Sequence, residues 1–243
     1  MNIFRDEEDS IAETRLHKYP KFMKHRYTYL VIAVVAQLII APLLEKQIPL
    51  IMPFLFLILI LAVLGTLGLR QFFLRVLLGL GLLGFLFSVV ARAFQLPYQD
   101  ALYFYMAGLS ADSLFLLIAI TVLVVKIFSE KKITAETIKG AISVYFLMGF
   151  FWAFLYSLVL LVNPGAFSFQ TGTFEYSSLT YFSFTTLTTL GYGDFAPVSW
   201  MARNLTILES TFGQIYLTVL IARLVGLHIV GKRQDTCAST KDQ

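Results

Sequence analysis

Residues 188–194 read Thr188-Thr189-Leu190-Gly191-Tyr192-Gly193-Asp194 and lie between two long apolar segments late in a 243-residue chain. Glycine costs backbone entropy, so two glycines flanking one tyrosine point to a backbone held in unusual dihedrals. Other reactive groupings are scarce. No metal-ligand cluster and no nucleophile beside a base is evident, so an enzyme is not expected, nor a cofactor. Glu209 is the one acid deep within a hydrophobic segment, and an intramembrane carboxylate calls for a functional hypothesis by default. Asp112 interrupts another such run.

Composition sets the class. Hydrophobic residues make up 58% of the chain and charged residues 14%, against about 25% charged in soluble proteins. The chain is therefore expected to be an all-α membrane protein that crosses the bilayer several times. Its single cysteine, Cys237, has no partner for an intrachain disulfide. The formal charge of +4 does not imply nucleic acid, because the basic residues flank apolar segments as the positive-inside rule requires. With the N-terminus in the cytoplasm and six spans, 16 of the 19 Lys and Arg fall inside. Only Lys46, Arg92 and Arg203 remain outside, and the Gly-Tyr-Gly loop opens outward. The expected location is the cell membrane, multi-pass, with both termini cytoplasmic.

The elements follow in order. Residues 1–26 form a cytoplasmic segment with acids leading and bases following. That order suits a short helix, whose basic half could also rest on anionic lipid, and a solvated anchor that only sets topology weighs more than a regulatory role. A signal peptide is not expected. Residues 27–128 hold four spans: Tyr27–Leu44, Leu50–Leu69, Phe72–Ala93, and a last one within an apolar run from Ala101 to Phe128. Asp112 marks the outer end of a span over 111–128, with 101–110 as an interfacial segment, or else lies inside one longer tilted helix; the first is favoured. Arg92 is a candidate counter-charge, with contact to water the equal alternative.

This fourth span offers Lys126 alone, whereas a voltage sensor needs several cations along one helix, each worth about 2.3 kcal/mol per 100 mV. Steep voltage dependence is not expected. Residues 129–139 form a cytoplasmic linker in which Thr134 is a candidate N-cap for a helix starting at Ala135. Residues 140–230 hold the fifth span, the turn Asn163-Pro164-Gly165, a stretch from Ser177 to Thr188 too short to cross the bilayer, and the sixth span from Ala202 to Val230. The short stretch suits a re-entrant helix buried in protein. Residues 231–243 form the expected cytoplasmic tail, with no soluble ligand domain.

Thr-x-Gly-Tyr-Gly resembles the selectivity filter of potassium channels, and the resemblance covers residues 139 to 230. It implies six transmembrane helices with a re-entrant pore helix and filter between helices 5 and 6, ahead of which stands a sensor-shaped but non-sensing front domain. It implies that carbonyl oxygens replace the hydration shell of a potassium ion. Thr189 would supply its hydroxyl and carbonyl, Leu190, Gly191 and Tyr192 their carbonyls, and Gly193 the outer turn. Leu190 stands where the family more often has valine or isoleucine. One filter per chain implies a homotetramer, with membrane lipid as the surrounding partner and the potassium ion as permeant rather than cofactor.

The same resemblance implies support from Tyr181 and Phe182, as an aromatic cuff against which Leu190 and Tyr192 pack, and from Asp194 just outside the filter. Thr185 stands where some members carry a carboxylate that bonds behind the filter. Together with Thr186 and Thr188 it can equally well only satisfy backbone carbonyls. Glu209 either adds negative potential near the ion path or lies behind the filter bonded to pore-helix hydroxyls, the second being preferred. Gly213 is at the spacing of a hinge, with close packing against the pore helix as the equal alternative. Gln214, Leu217, Ile221 and Val225 share one helical stripe, the expected cavity wall and inner constriction. A potassium-selective channel is the leading expectation, a weakly selective cation channel and a non-conducting scaffold or regulatory subunit its rivals.

Overall fold

The structure is a computed structural model that describes residues 26–45, 47–48, 50–93, 98–130, 133–169 and 176–239, without the side chains of 98, 99, 176 and 227–239. The cytoplasmic segment expected over residues 1–26 lies almost wholly outside the described residues. Helix α1 runs over Arg26–Leu44, α2 over Ile51–Leu67, α3 over Gln71–Ala93, α4 over Tyr98–Ser129 and α5 over Ala135–Val162. After a short strand β1 (Phe167–Phe169) come α6 (Tyr176–Leu187), a second strand β2 (Phe195–Pro197) and α7 (Trp200–Ser239). The protein is an all-α membrane protein. Five of these helices, α1, α3, α4, α5 and α7 up to Gly226, are long and apolar enough to cross a bilayer, and α2 is an apolar helix of 17 residues.

Local chemistry explains the boundaries. Pro53 sits in the first turn of α2, where its missing donor is one the helix leaves unpaired anyway. The helix stops at Gly68, in the left-handed region at φ 59°. Lys126 of α4 then donates its ammonium to the carbonyls of Thr66 and Leu67 at 2.7 and 3.0 Å, the cation that a helix C-terminus favours. Thr134 caps α5: its hydroxyl accepts the Thr137 N–H while the Thr137 hydroxyl accepts the Thr134 N–H. The linker helix and the fifth span are consequently one continuous rod.

One expectation is corrected. Residues 101–110 are not a separate interfacial segment, because α4 is a single helix of 32 residues with Asp112 inside it. Asp112 is 4% exposed and its carboxyl rests against Gly84 of α3, in the space a side chain on that residue would take. Close approach of α3 buries the carboxyl within the bundle. Arg92 lines the same small cavity as Asp112, donates to the Ser88 carbonyl at 3.2 Å and lies over the Tyr105 ring at 5.3 Å.

One core runs through the molecule. Leu30 and Val34 of α1, Leu59 and Val63 of α2, Phe115 and Leu123 of α4, and Val144 and Leu147 of α5 are fully buried in it, and it extends to Tyr216 of α7. In a bilayer such contacts are favoured by packing rather than by exclusion of water. A second cluster, built on Trp152, Tyr156, Phe167, Leu179 and Phe182, sits between α5, β1 and α6. Helices α1 and α4 thus seat directly against α5 of their own chain, α2 and α3 pack on those two, and α5 in turn seats α6 and α7.

Candidate functional site

The Thr188–Asp194 loop leaves the C-terminus of α6 and turns its amide donors back onto that helix. Thr188 N–H donates to the Phe184 carbonyl at 3.1 Å and Thr189 N–H to that of Thr186 at 2.9 Å. Leu190 and Gly191 N–H both donate to the Thr185 carbonyl, at 2.8 and 3.1 Å. The last carbonyls of a helix have no partner within it, so the loop answers the helix's own need. Among the described residues, no hydrogen bond is made to the carbonyls of Thr189, Leu190, Gly191 or Tyr192.

Alternate residues of this loop occupy the left-handed region: Thr189 at φ 58°, Gly191 at 53° and Gly193 at 80°. Glycine reaches it freely. Thr189 does not, since a β-branched residue there is strained by its own Cβ. The strain is held by the carbonyls of α6 behind it.

The support behind α6 is a buried polar knot. Glu209 of α7 is fully buried. Its carboxylate accepts from the Ser183 hydroxyl of α6 at 2.5 Å and from the Tyr156 hydroxyl of α5. Ser183 also reaches the Gly149 carbonyl at 2.7 Å. Three helices therefore meet at one carboxylate, each of whose oxygens has a donor, as a buried acid requires. Around it, Tyr156, Phe167 and Phe182 pack edge to face with centroids 5.0 to 5.6 Å apart, the arrangement aromatic quadrupoles prefer. The Tyr145 hydroxyl donates to the Leu187 carbonyl at 3.0 Å and secures the helix just before the loop.

Glycines allow this closeness. A Cβ on Gly213 would lie 2.7 Å from Leu187 Cδ1 and 3.0 Å from its carbonyl, and one on Gly149 would lie 2.6 Å from the Phe184 ring. Gly213 thus occupies the packing position against α6 that was one of its two expected roles. Thr185 donates its hydroxyl to the Phe182 carbonyl at 2.9 Å and Thr188 donates to that of Phe184 at 2.7 Å, both within their own turn.

Asp194 takes its partner elsewhere. Its Oδ2 accepts from the Tyr181 hydroxyl at 2.9 Å and its Oδ1 from the Phe195 N–H at 3.1 Å. Tyr181 and Phe182 therefore part company: Tyr181 faces the loop, whereas Phe182 is buried on the α5 side. Leu190 and Tyr192 are 54% and 69% exposed, so their own chain does not cover them. On α7, Gln214, Ile221 and Val225 are exposed while Leu217 is half-buried against the main core.

Sequence reasoning missed Tyr156, Ser183 and Tyr145. A hydroxyl in an apolar helix was the available signal, since such a group needs a partner once buried. At the end of α4, the Arg223 guanidinium of α7 donates to the carbonyls of Ile127 and, at 2.5 Å, of Glu130, and lies 4.9 Å from the Phe128 ring. Glu130 itself accepts from Thr137 at 2.5 Å and stands 4.0 Å from Arg26. No group of three His, Cys, Asp or Glu suited to a metal ion occurs among the described residues.

No curated protein matches the chain. Residues 114–227, from within α4 through the membrane-crossing length of α7, match the family model described as an ion channel. The loop, the knot behind it and the exposed stripe of α7 all fall inside the matched range, which supports an ion channel.

Proposed function

We propose that the chain is one quarter of a potassium-selective channel, with Thr189–Gly193 as its filter and α6 as a re-entrant pore helix. The observation that carries this reading is the division of the loop's backbone: the amides of Thr188, Thr189, Leu190 and Gly191 are spent on α6, while the carbonyls of Thr189, Leu190, Gly191 and Tyr192 accept nothing among the described residues. Alternating left-handed residues suit a backbone whose successive carbonyls turn to one side, where they replace the water around a dehydrated ion. One strand cannot surround an ion. Four chains about an axis can, and the uncovered Leu190 and Tyr192 would then pack against neighbours.

In this reading the α6 C-terminus, carrying about half a negative charge, faces the cavity below the filter and stabilises a waiting cation. Gln214 wets that cavity, and Ile221 and Val225 form an apolar constriction that closes by dewetting. Six spans place both termini in the cytoplasm of a cell-membrane protein surrounded by lipid. The Lys126 ammonium is already committed to the end of α2, in keeping with a front bundle that does not move charge through the field. The permeation is passive and involves no catalysis.

The deciding experiment is reversal potential in liposomes holding the purified chain under opposed potassium and sodium gradients. A potential near the potassium equilibrium value is expected. A value near zero would select the weakly selective channel, and absence of current from intact tetramers would select the scaffold.

A further inference from the structure

The corner between α1 and α2 reaches the start of α6. Glu45 extends the last turn of α1, its N–H donating to the Ala41 carbonyl at 3.0 Å. Its Oε2 accepts the backbone N–H of Ser177, the second residue of α6, at 3.0 Å. The first amides of a helix have no partner within it, and a carboxylate is the acceptor that end favours. The first turn of α6 holds no acid of its own, and Glu175, just before it, lies outside the described residues. The corner is also seated sterically: Ala41 and Pro42 line one narrow cleft with Phe154 of α5 and Ser177 and Thr180 of α6. Phe56 of α2 meets Phe154 edge to face at 5.1 Å.

We infer that Glu45 is a positioning residue for the pore, capping the pore helix from the front bundle so that the α1–α2 corner holds the filter's scaffold from its outer side. The assignment to a pore rests on the filter reading above. Helix α6 has 12 residues, a rod about 18 Å long. Its far end supplies the Thr185 carbonyl to Leu190 and Gly191 N–H. A displacement of the corner therefore tilts the very carbonyl on which the filter hangs, and motion of the front bundle reaches the filter without passing through the inner linker.

The test uses the full chain in lipid nanodiscs and reads amide hydrogen exchange over residues 180–187, with potassium-to-sodium permeability in liposomes as a second readout. Glu45→Ala is expected to speed that exchange about fivefold, the fold-change of one lost helix cap, and to lower the permeability ratio. Glu45→Gln keeps an acceptor without the charge and gives a smaller rise. Ser177→Pro removes the donor at a position in the first turn where proline is tolerated, and on that background Glu45→Ala adds nothing. Unchanged exchange in Glu45→Ala, additive effects of the two substitutions, or a Glu175→Gln variant that reproduces Glu45→Ala would each overturn the assignment. Exchange is read without any ion flow, so a wild-type chain that passes no potassium would sink the filter reading while leaving the Glu45 contact to be judged by its own measurement.

Discussion

The two sides of the Thr188–Asp194 loop are built differently. On the side toward α5 and α7, Glu209 has donors on both oxygens, Thr185 carries two amides on one carbonyl, and Leu187 and Ala202 are fully buried. On the other side Leu190 and Tyr192 stand open and four carbonyls accept nothing among the described residues. Along α7 the same contrast repeats at helical spacing. Ala202, Glu209, Gly213 and Tyr216 are buried, whereas Ile207, Phe212, Ile215 and Ile221 are exposed. A single chain thus completes the scaffold behind the loop and leaves the rest of it open, which in the function proposed above is where the ion and further copies would come.

Substitutions on the open face should strike permeation, and substitutions behind it should strike stability. The largest effect is expected from Gly191→Ala. Nothing lies within 4 Å of where its Cβ would go, so crowding costs nothing. The left-handed φ is unfavourable to alanine by roughly 1–2 kcal/mol per chain, which an open loop sheds by changing its own conformation, so potassium flux should fall at least about tenfold while thermal unfolding in detergent moves less than in any variant behind the loop. A large loss of melting temperature would break the distinction between the two faces.

Glu209→Ala is the mirror case. The buried Tyr156 hydroxyl loses its acceptor, and Ser183 is left with the Gly149 carbonyl alone, which should cost about 1–3 kcal/mol per chain, read as a lowered melting temperature. Glu209→Gln should recover part of it. Gly213→Ala comes next: the new methyl meets Leu187, whose side chain can yield while its carbonyl cannot, and overpacking of this kind typically costs about 1–3 kcal/mol. Unaltered stability combined with a changed open probability in single-channel recording would instead assign Gly213 to bending. Tyr181→Phe should have the smallest effect on folding because its hydroxyl is at the surface. The expected change is in how fast current declines during sustained opening, with melting unchanged.

Much of this is legible in the sequence. The loop declares itself by its two glycines, the spans by apolar length, and the α5 cap by Thr134 ahead of Ala135. Glu209 was legible as a buried acid in need of hydroxyls, but not which ones. Tyr156 lies 53 residues away on α5, and no local periodicity links residues on different helices. Asp112 misled for the same reason: a charge in an apolar run reads as a boundary unless the facing helix offers a notch, and Gly84 supplies one only once α3 and α4 are packed. The sequence set Tyr181 and Phe182 side by side without showing that their surroundings differ; neighbours on a helix point about 100° apart.

The two three-residue strands, minor as secondary structure, settle a mechanical question. Phe167 pairs with Pro197, Ser168 with Ala196 and Phe169 with Phe195, and Val198 and Ser199 N–H both donate to the Ala166 carbonyl. The loop is therefore moored at both ends, upstream by α6 and downstream by this clasp onto the segment that follows α5. A tether fixed at one end would let thermal motion accumulate along its length. With both ends fixed, the span open to residues 188–194 is set by how far apart α6 and the clasp are held.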